Sequence, residues 1–361
     1  MVSPNTAFAY YIGHTINSDD RYMASSGGVG TAITRYLLNQ DIYGTSITFE
    51  FNKQECMYVP KLIHTPDDIN VCGSIYHDID IASFVRNNVD KIIGGIVLSC
   101  PPCQVTAIRQ ILNKSGINHF IISYCCSGQT TIEGTWKYYD IIGVKKDDVI
   151  NMQYRGNGWP SGIQIWLKDG TKVYHDNYTE PWVSLHQSKL YSPKRCLFCK
   201  RDTGRNADLS LADPWLEHYL KTDKTGNTMI LSFTELGQKI VNEMEQQGLL
   251  ELTESCYDDY AIAQAPNIHK EIKQIEQSSY IRKYLNLVSQ QWYFNWATKD
   301  LNHIRKHIKI TRQLYRVSSI NNFKFFIMSI IKKIGNRLRY NHIKSKLGNL
   351  NGYINVGGGK N

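Results

Sequence analysis

Nine cysteines are spread through the 361 residues of this chain, and six of them fall into close pairs. Cys100 and Cys103 form one C-x-x-C, Cys125 and Cys126 are adjacent, Cys196 and Cys199 form a second C-x-x-C, and Cys56, Cys72 and Cys256 are single. Two intervening residues let both sulfurs of such a pair turn onto one ion, so two pairs and a third thiol position suffice to wrap a four-thiolate site. A fold that gathers these thiols keeps little freedom in how its connections run. Tetrahedral thiolate sites serve zinc and iron–sulfur clusters alike, and a redox or merely buried set of thiols is the remaining reading. Disulfides rank last, because the cysteine count is odd and nothing resembles a small disulfide-dense domain, which points to a reducing compartment. The three single cysteines are expected to be small core residues.

The charge is strongly uneven. Residues 301–361 hold 13 Lys and Arg and no Asp or Glu, leaving 28 basic against 32 acidic residues before them, so the formal +9 of the whole chain resides in its end. Within that end, 323–335 reads FKFFIMSIIKKIG, an apolar and partly aromatic run beside Lys324, Lys332 and Lys333. A basic amphipathic segment of this kind can dock on its own domain, meet an acidic partner, lie on an anionic membrane surface or touch nucleic acid. Nucleic acid ranks last because no binding motif accompanies the charge. The first 15 residues lack a basic stretch followed by an apolar one, and no run approaches the roughly 18 to 20 apolar residues of a bilayer span. A cytoplasmic location is expected, with peripheral membrane attachment through the tail as its variant. The composition, 42% hydrophobic and 20% charged, is that of a chain with a real core.

Along the chain, 7–12 reads as a first strand, and 23–30 (MASSGGVG) as a small-residue loop opening into a helix whose Ile33, Leu37 and Leu38 recur at helical spacing. Free N–H groups at such a junction suit a phosphate, although close helix packing explains glycines equally well, and the third glycine of the dinucleotide fingerprint is missing. Strands are expected at 45–51, at 89–98 ahead of Cys100, and at 120–124 ahead of Cys125. Pro101 and Pro102 stop the second of these, and 104–112 has helical periodicity, which sets Cys103 at a strand-to-helix junction where the helix dipole favours a thiolate. Successive strand ends bearing thiols imply an open sheet with its site at the carboxyl edge. Further strands follow at 149–154, 163–167 and 171–175, the last two joined by a Lys168-Asp169-Gly170 turn. Between the first pair lies RGNGWPSG (155–162), whose Arg155 and Trp159 suit an anion or a planar ring, or form only a bulged turn. A short strand in 206–215 ends at Asp213, another spans 228–233, Thr234 caps a helix through Gln246, and a further helix is expected at about 268–290.

Seven ordered segments together resemble the beta subunit family of coenzyme F420 hydrogenases and dehydrogenases. They are SSGGVGTAITRYLL from Ser25, PPCQVTAIRQIL from Pro101, CSG from Cys126, YRGNGWPSG from Tyr154, RCLFC from Arg195, ADLSLADPW from Ala207, and GNTMILSFTELGQKIV from Gly226. The resemblance covers residues 7–290, about four fifths of the chain. It implies a mixed α/β fold, an open sheet with flanking helices and the cofactor site at its strand ends. The domains would then be a flavin and iron–sulfur domain over 1–290 and a basic helical extension with a disordered end over 291–361.

The resemblance implies FAD beside one [4Fe-4S] cluster, passing electrons between a hydride carrier or organic substrate, such as F420 or a nicotinamide, and a one-electron partner such as ferredoxin. By position Cys103, Cys126, Cys196 and Cys199 look like the cluster ligands, with Cys100 and Cys125 as neighbours that either substitute for one of them or lie beside the ligands without binding. Ser25, Ser26, Gly27, Gly28 and Thr31 look like flavin-binding segments, and Arg155, Asn157, Trp159, Asp213, Asn227 and Thr228 like further cofactor contacts. No general acid is assignable. The chain has no cysteine before Cys56, whereas many relatives carry an N-terminal ferredoxin-like module, and Ser127 stands where relatives commonly carry a histidine. Some relatives act in surface-polysaccharide pathways. The alternative from another class is a non-enzymatic, zinc-stabilised interaction protein whose basic tail binds a membrane or an acidic partner.

Overall fold

Short apolar runs bounded by breakers set the frame of the molecule. A computed structural model describes residues 7–176, 179–187, 191–197, 199 and 203–264. Its strands are β1 (Ala9–Thr15), β2 (Tyr43–Asn52), β3 (Met57–Ile63), β4 (Gly95–Ser99), β5 (His119–Tyr124), β6 (Val149–Gln153), β7 (Gly162–Leu167), β8 (Lys172–Asp176), β9 (Leu209–Ala212), β10 (Thr228–Ser232) and β11 (Leu250–Ser255). The helices are α1 (Ser18–Met23), α2 (Val29–Leu38), α3 (Ile81–Asn87), α4 (Pro102–Lys114), α5 (Ile132–Ile141), α6 (Trp182–Gln187), α7 (Glu217–Thr222), α8 (Glu235–Gln246) and α9 (Tyr257–Ala263). They divide into two compact bodies, the first made of 7–127, 146–176 and 203–264, the second of 128–145 and the described part of 179–199.

The first body carries an eight-stranded sheet in the order β11-β1-β10-β9-β5-β4-β2-β3. Strands β2, β4, β5 and β9 pair in parallel, β10 runs against β9, and β1 runs against β10, so β1 points the same way as the parallel set. Strands β4 and β5 are buried almost throughout, as their unbroken apolar runs require of strands covered on both faces. Successive side chains point to opposite faces, which splits the core in two. Val97, Phe120 and Ile122 pack with Ile33 and Leu37 of α2 and Ile240 and Val241 of α8. Ile96, Leu98 and Ile121 pack on the other face with Val85 of α3 and Val105, Ile108 and Leu112 of α4. Each such buried aliphatic side chain contributes about 1.5 to 3 kcal/mol of hydrophobic free energy. The expected mixed α/β fold, an open sheet with flanking helices, is the one observed.

Several expected boundaries move. Strand β1 continues to Thr15 because it is paired on both sides, with β10 and β11, and at Gly13 any Cβ would collide with the Glu251 carbonyl of β11. The strand expected over 89–98 begins at Gly95, preceded by a 3-10 turn at Val89–Lys91. The two sheet edges, β3 and β11, were not expected. Pro60 in β3 and Glu251 and Glu254 in β11 depart from strand composition, and both devices suit edges, where a missing N–H and exposed charge discourage further pairing. Helix α8 begins where Thr234 predicts it, the Thr234 Oγ1 accepting the Gly237 N–H at 3.0 Å. Strands β6, β7 and β8 form a separate antiparallel sheet, with Gly170 at φ +86° in the expected hairpin turn.

In the second body α5 and α6 pack through Tyr138 and Trp182, whose rings meet edge-on at 5.5 Å. The Thr131 N–H donates to the Tyr191 carbonyl at 2.5 Å. The helix expected at 268–290 and the extension 291–361 lie outside the described residues.

Candidate functional site

Strand direction decides where the chemistry collects. Since β1, β2, β4, β5 and β9 run one way, the segments leaving them emerge at one edge of the sheet, and the segment entering antiparallel β10 meets them there. That edge receives 16–28 after β1, 100–103 after β4, 125–127 after β5, 213–216 after β9 and 223–227 before β10. Most residues singled out in the sequence belong to these stretches.

Residues 24–28 connect α1 to α2 and are fixed by other segments rather than by their own regularity. The Thr15 N–H donates to the Gly27 carbonyl at 2.8 Å, the Gly27 N–H donates to Thr228 Oγ1 at 2.8 Å, and the hydroxyls of Ser26 and Thr228 share a hydrogen bond of 2.8 Å. Ser25 Oγ accepts the Ser74 N–H. Gly28, the N-cap of α2, takes φ +72°, a left-handed conformation that suits glycine. It offers no side-chain cap, and the first turn of α2 has no acidic residue. Among the described residues, the N–H groups of Val29, Gly30 and Thr31 therefore have neither an intrahelical acceptor nor a side-chain substitute, an arrangement that attracts an anion.

Arg155 enters from the loop between β6 and β7. Its Nη1 donates to Asp213 Oδ2 at 2.6 Å, and its Nη2 to Asp213 Oδ1 at 2.9 Å and to the Ser25 carbonyl at 2.5 Å. The Trp159 indole N–H also donates to Asp213 Oδ1 at 3.0 Å, and the Trp159 ring lies against Trp215 with centroids 5.1 Å apart. Gln264 Nε2 donates to the Asp213 carbonyl at 2.7 Å. Asn157 sits at φ +64°, and its Nδ2 donates to Gln153 Oε1 at 2.8 Å.

The strand-entry loop has its own hub. Asp223 accepts the N–H groups of Thr225 and Gly226 and the Asn227 side chain, at 3.0, 2.9 and 2.7 Å. Burial opposes ionisation of Asp223, but these bonds and the Arg21 charge outweigh it and hold the carboxyl below its usual range. Arg21 Nε donates to the Gly226 carbonyl at 2.8 Å. Sequence reading singled out neither Asp223, Arg21 nor Ser74. The Asp-Lys-Thr-Gly run at 223–226 is an Asx-turn signal that could have revealed the first.

The cysteines sort by environment. Cys100 is fully buried in the core with Ile96 and Val105, and burial pushes its thiol well above the ordinary range, keeping it neutral. It is set as a core residue. Cys103, the second residue of α4, is exposed, and Cys125 and Cys126, just beyond β5, are half-buried. In the second body Cys196 and Cys199 are half-buried, Cys196 on the 3-10 turn Lys194–Leu197, and the preceding Arg195 donates to Gln129 Oε1 at 2.9 Å. Cys56 and Cys72 are buried as expected, with the Cys72 thiol pushed by burial up to about 12. Cys256, also expected in the core, is exposed, because it is the N-cap of α9 just after edge strand β11. Among the described residues of the first body, no three His, Cys, Asp or Glu side chains are grouped as metal ligands.

This is an α/β protein in which the segments carrying residues 25–28, Cys103, Cys126, Asp213 and Asn227 all lie at the carboxyl edge of its parallel strands. The chain belongs to the coenzyme F420 hydrogenase/dehydrogenase beta subunit family. Residues 10–86 match its N-terminal part and 94–256 its C-terminal part. Membership places it among the subunits of hydrogenases and dehydrogenases, an oxidoreductase family. Among solved structures, a chain of the F420-reducing [NiFe] hydrogenase complex from Methanosarcina barkeri is similar with a TM-score of 0.59 and 14% identity, over 78% of this chain and 92% of that chain. That likeness is one of fold. No curated protein matches the chain. Among the described residues, no helix is long and apolar enough to cross a membrane.

Proposed function

We propose that the chain is an iron–sulfur flavoprotein that passes electrons between a hydride carrier, with F420 as first candidate, and a one-electron partner such as a ferredoxin. The observation that carries this reading is the common edge: the uncapped start of α2 and the thiol-bearing segments after β4 and β5 leave the sheet on the same side. The uncapped, acid-free first turn of α2 fits the pyrophosphate of FAD in kind. The four thiols that the resemblance singles out in the sequence, Cys103, Cys126, Cys196 and Cys199, are of the kind and number that a [4Fe-4S] cluster takes. When bound, FAD supplies the exchange of a hydride for single electrons and the cluster supplies their onward transfer. The protein's own residues bind and orient. Ser127 offers a hydroxyl where relatives carry a titratable ring, so no proton donor is assigned to that position.

The basic end of the chain suits a cytoplasmic protein held at an anionic membrane surface, and a surface-polysaccharide pathway is a setting consistent with it. The test is an absorbance spectrum with iron, sulfide, zinc and flavin analysis on protein purified without oxygen. Iron and sulfide in equal amounts together with flavin support the proposal. One zinc and no flavin would replace it with a zinc-stabilised interaction protein.

A further inference from the structure

We infer that Thr228, Arg155 and Asp213 are positioning residues, which shape the 24–28 loop and the start of α2 for an anionic ligand rather than binding that ligand themselves. The ligand named here, FAD, rests on the flavin reading above; the geometry does not.

A loop with glycines at 27 and 28 has many conformations available when free, and an anion site needs one. Three segments hold it in that one. Thr228, at the start of β10, takes the Gly27 N–H on its Oγ1 and bonds the Ser26 hydroxyl. Arg155 takes the Ser25 carbonyl on Nη2, and Ser74 gives its N–H to Ser25 Oγ. The Arg155 fork is in turn aimed by Asp213, which accepts from both terminal nitrogens and from the Trp159 indole.

Position and charge both argue against direct contact. The Arg155 side chain is 5% exposed and its charge is matched by Asp213 in a two-pronged pair. The Thr228 hydroxyl already serves two partners, both within the loop. Backbone close approaches reinforce the arrangement, because a Cβ on Gly226 would strike the Ser26 backbone and one on Gly73 the Arg155 carbonyl. What the ligand would meet is backbone, namely the N–H groups of Val29, Gly30 and Thr31.

The test uses the full chain purified without oxygen, with FAD as the probe and amide hydrogen exchange as a second readout. Thr228→Val keeps shape and burial but removes the acceptor of the Gly27 N–H, whereas Thr228→Ser keeps the acceptor. Thr228→Val should weaken FAD binding by about tenfold or more and speed exchange of the 25–28 amides by a similar factor, with β4 and β5 unchanged, and Thr228→Ser should restore both. Arg155→Lys retains charge without the fork, so it should also speed exchange at 25–28; it decides the matter if Thr228→Val does not fold. Unchanged exchange in both variants would overturn the inference, as would weaker binding without any change in exchange, which would make these residues direct ligands. If the unsubstituted chain takes no FAD, the flavin reading fails, while the exchange result still decides the positioning role.

Discussion

Arg155 and Asp213, 58 positions apart in sequence, meet in a fork-to-fork ion pair with nitrogen–oxygen distances of 2.6 and 2.9 Å. The pair joins the β6–β7 loop to the end of β9, and its side chains are 5% and 13% exposed. Removing one partner strands the other charge away from water. Asp213→Ala should therefore cost about 3 kcal/mol of stability, whereas replacing both partners with apolar residues should cost less than the two single changes together. Urea unfolding of the two single variants and the double variant checks this. Additive losses would show that the two charges act independently.

His77 gives the fold a defined weakness in acid. Its Nε2 accepts the Tyr58 N–H at 3.0 Å, its Nδ1 lies 3.2 Å from the Asp78 carbonyl, and the rings of Tyr58 and Tyr154 pack around it. Burial pushes its pKa down to about 4. The unfolded chain takes up the proton near pH 6.5 and the folded chain only near 4. Stability from this group is thus full above about pH 6.5 and falls as pH drops toward 4, by about 3 kcal/mol in all. Urea unfolding at pH 7, 5.5 and 4.5, repeated on His77→Gln, tests it. If that variant keeps the parent's acid slope, His77 is not the group responsible.

The sequence made the centre of the sheet legible because its signals are local. Unbroken apolar runs mark β4 and β5, and a threonine ahead of a helical stripe marks α8. Edges were illegible, since β3 with Pro60 and β11 with its glutamates are strands by virtue of the neighbour they pair with. The site divides in the same way. Strands ending in cysteines pointed to the carboxyl edge, where 100–103 and 125–127 do emerge. The partner of Arg155 was invisible, because nothing near residue 155 specifies a carboxylate at 213. Nor could spacing distinguish the two cysteines of the first C-x-x-C: three residues apart, one is sealed in the core and the other exposed on α4.

That contrast predicts how the thiols respond to substitution. Cys199→Ala should remove the cluster's broad visible absorbance and the iron and sulfide of the anaerobically purified protein while any flavin bands remain, and Cys103→Ala should do the same. Cys100→Ala and Cys72→Ala replace buried, neutral thiols and should cost only about 1 kcal/mol while leaving iron and sulfide in place. Iron analysis and absorbance on the four variants decide it. Equal loss from Cys72→Ala and Cys199→Ala would mean that the ligand set is wrongly drawn.

The end of the chain offers a separate test because its charge is separate. Thirteen basic residues and no acidic one lie within 301–361, against a deficit of four in the rest. Near an anionic surface each Lys or Arg contributes about 1 kcal/mol, and salt screens that attraction within a Debye length of about 10 Å at 0.1 M. Deleting 301–361 should leave flavin and iron content intact and abolish sedimentation with phosphatidylserine vesicles, while the full chain should sediment at low salt and release as salt rises. Binding to neutral vesicles of the same strength would remove the electrostatic argument. Loss of cofactor on deletion would show instead that this segment completes the fold.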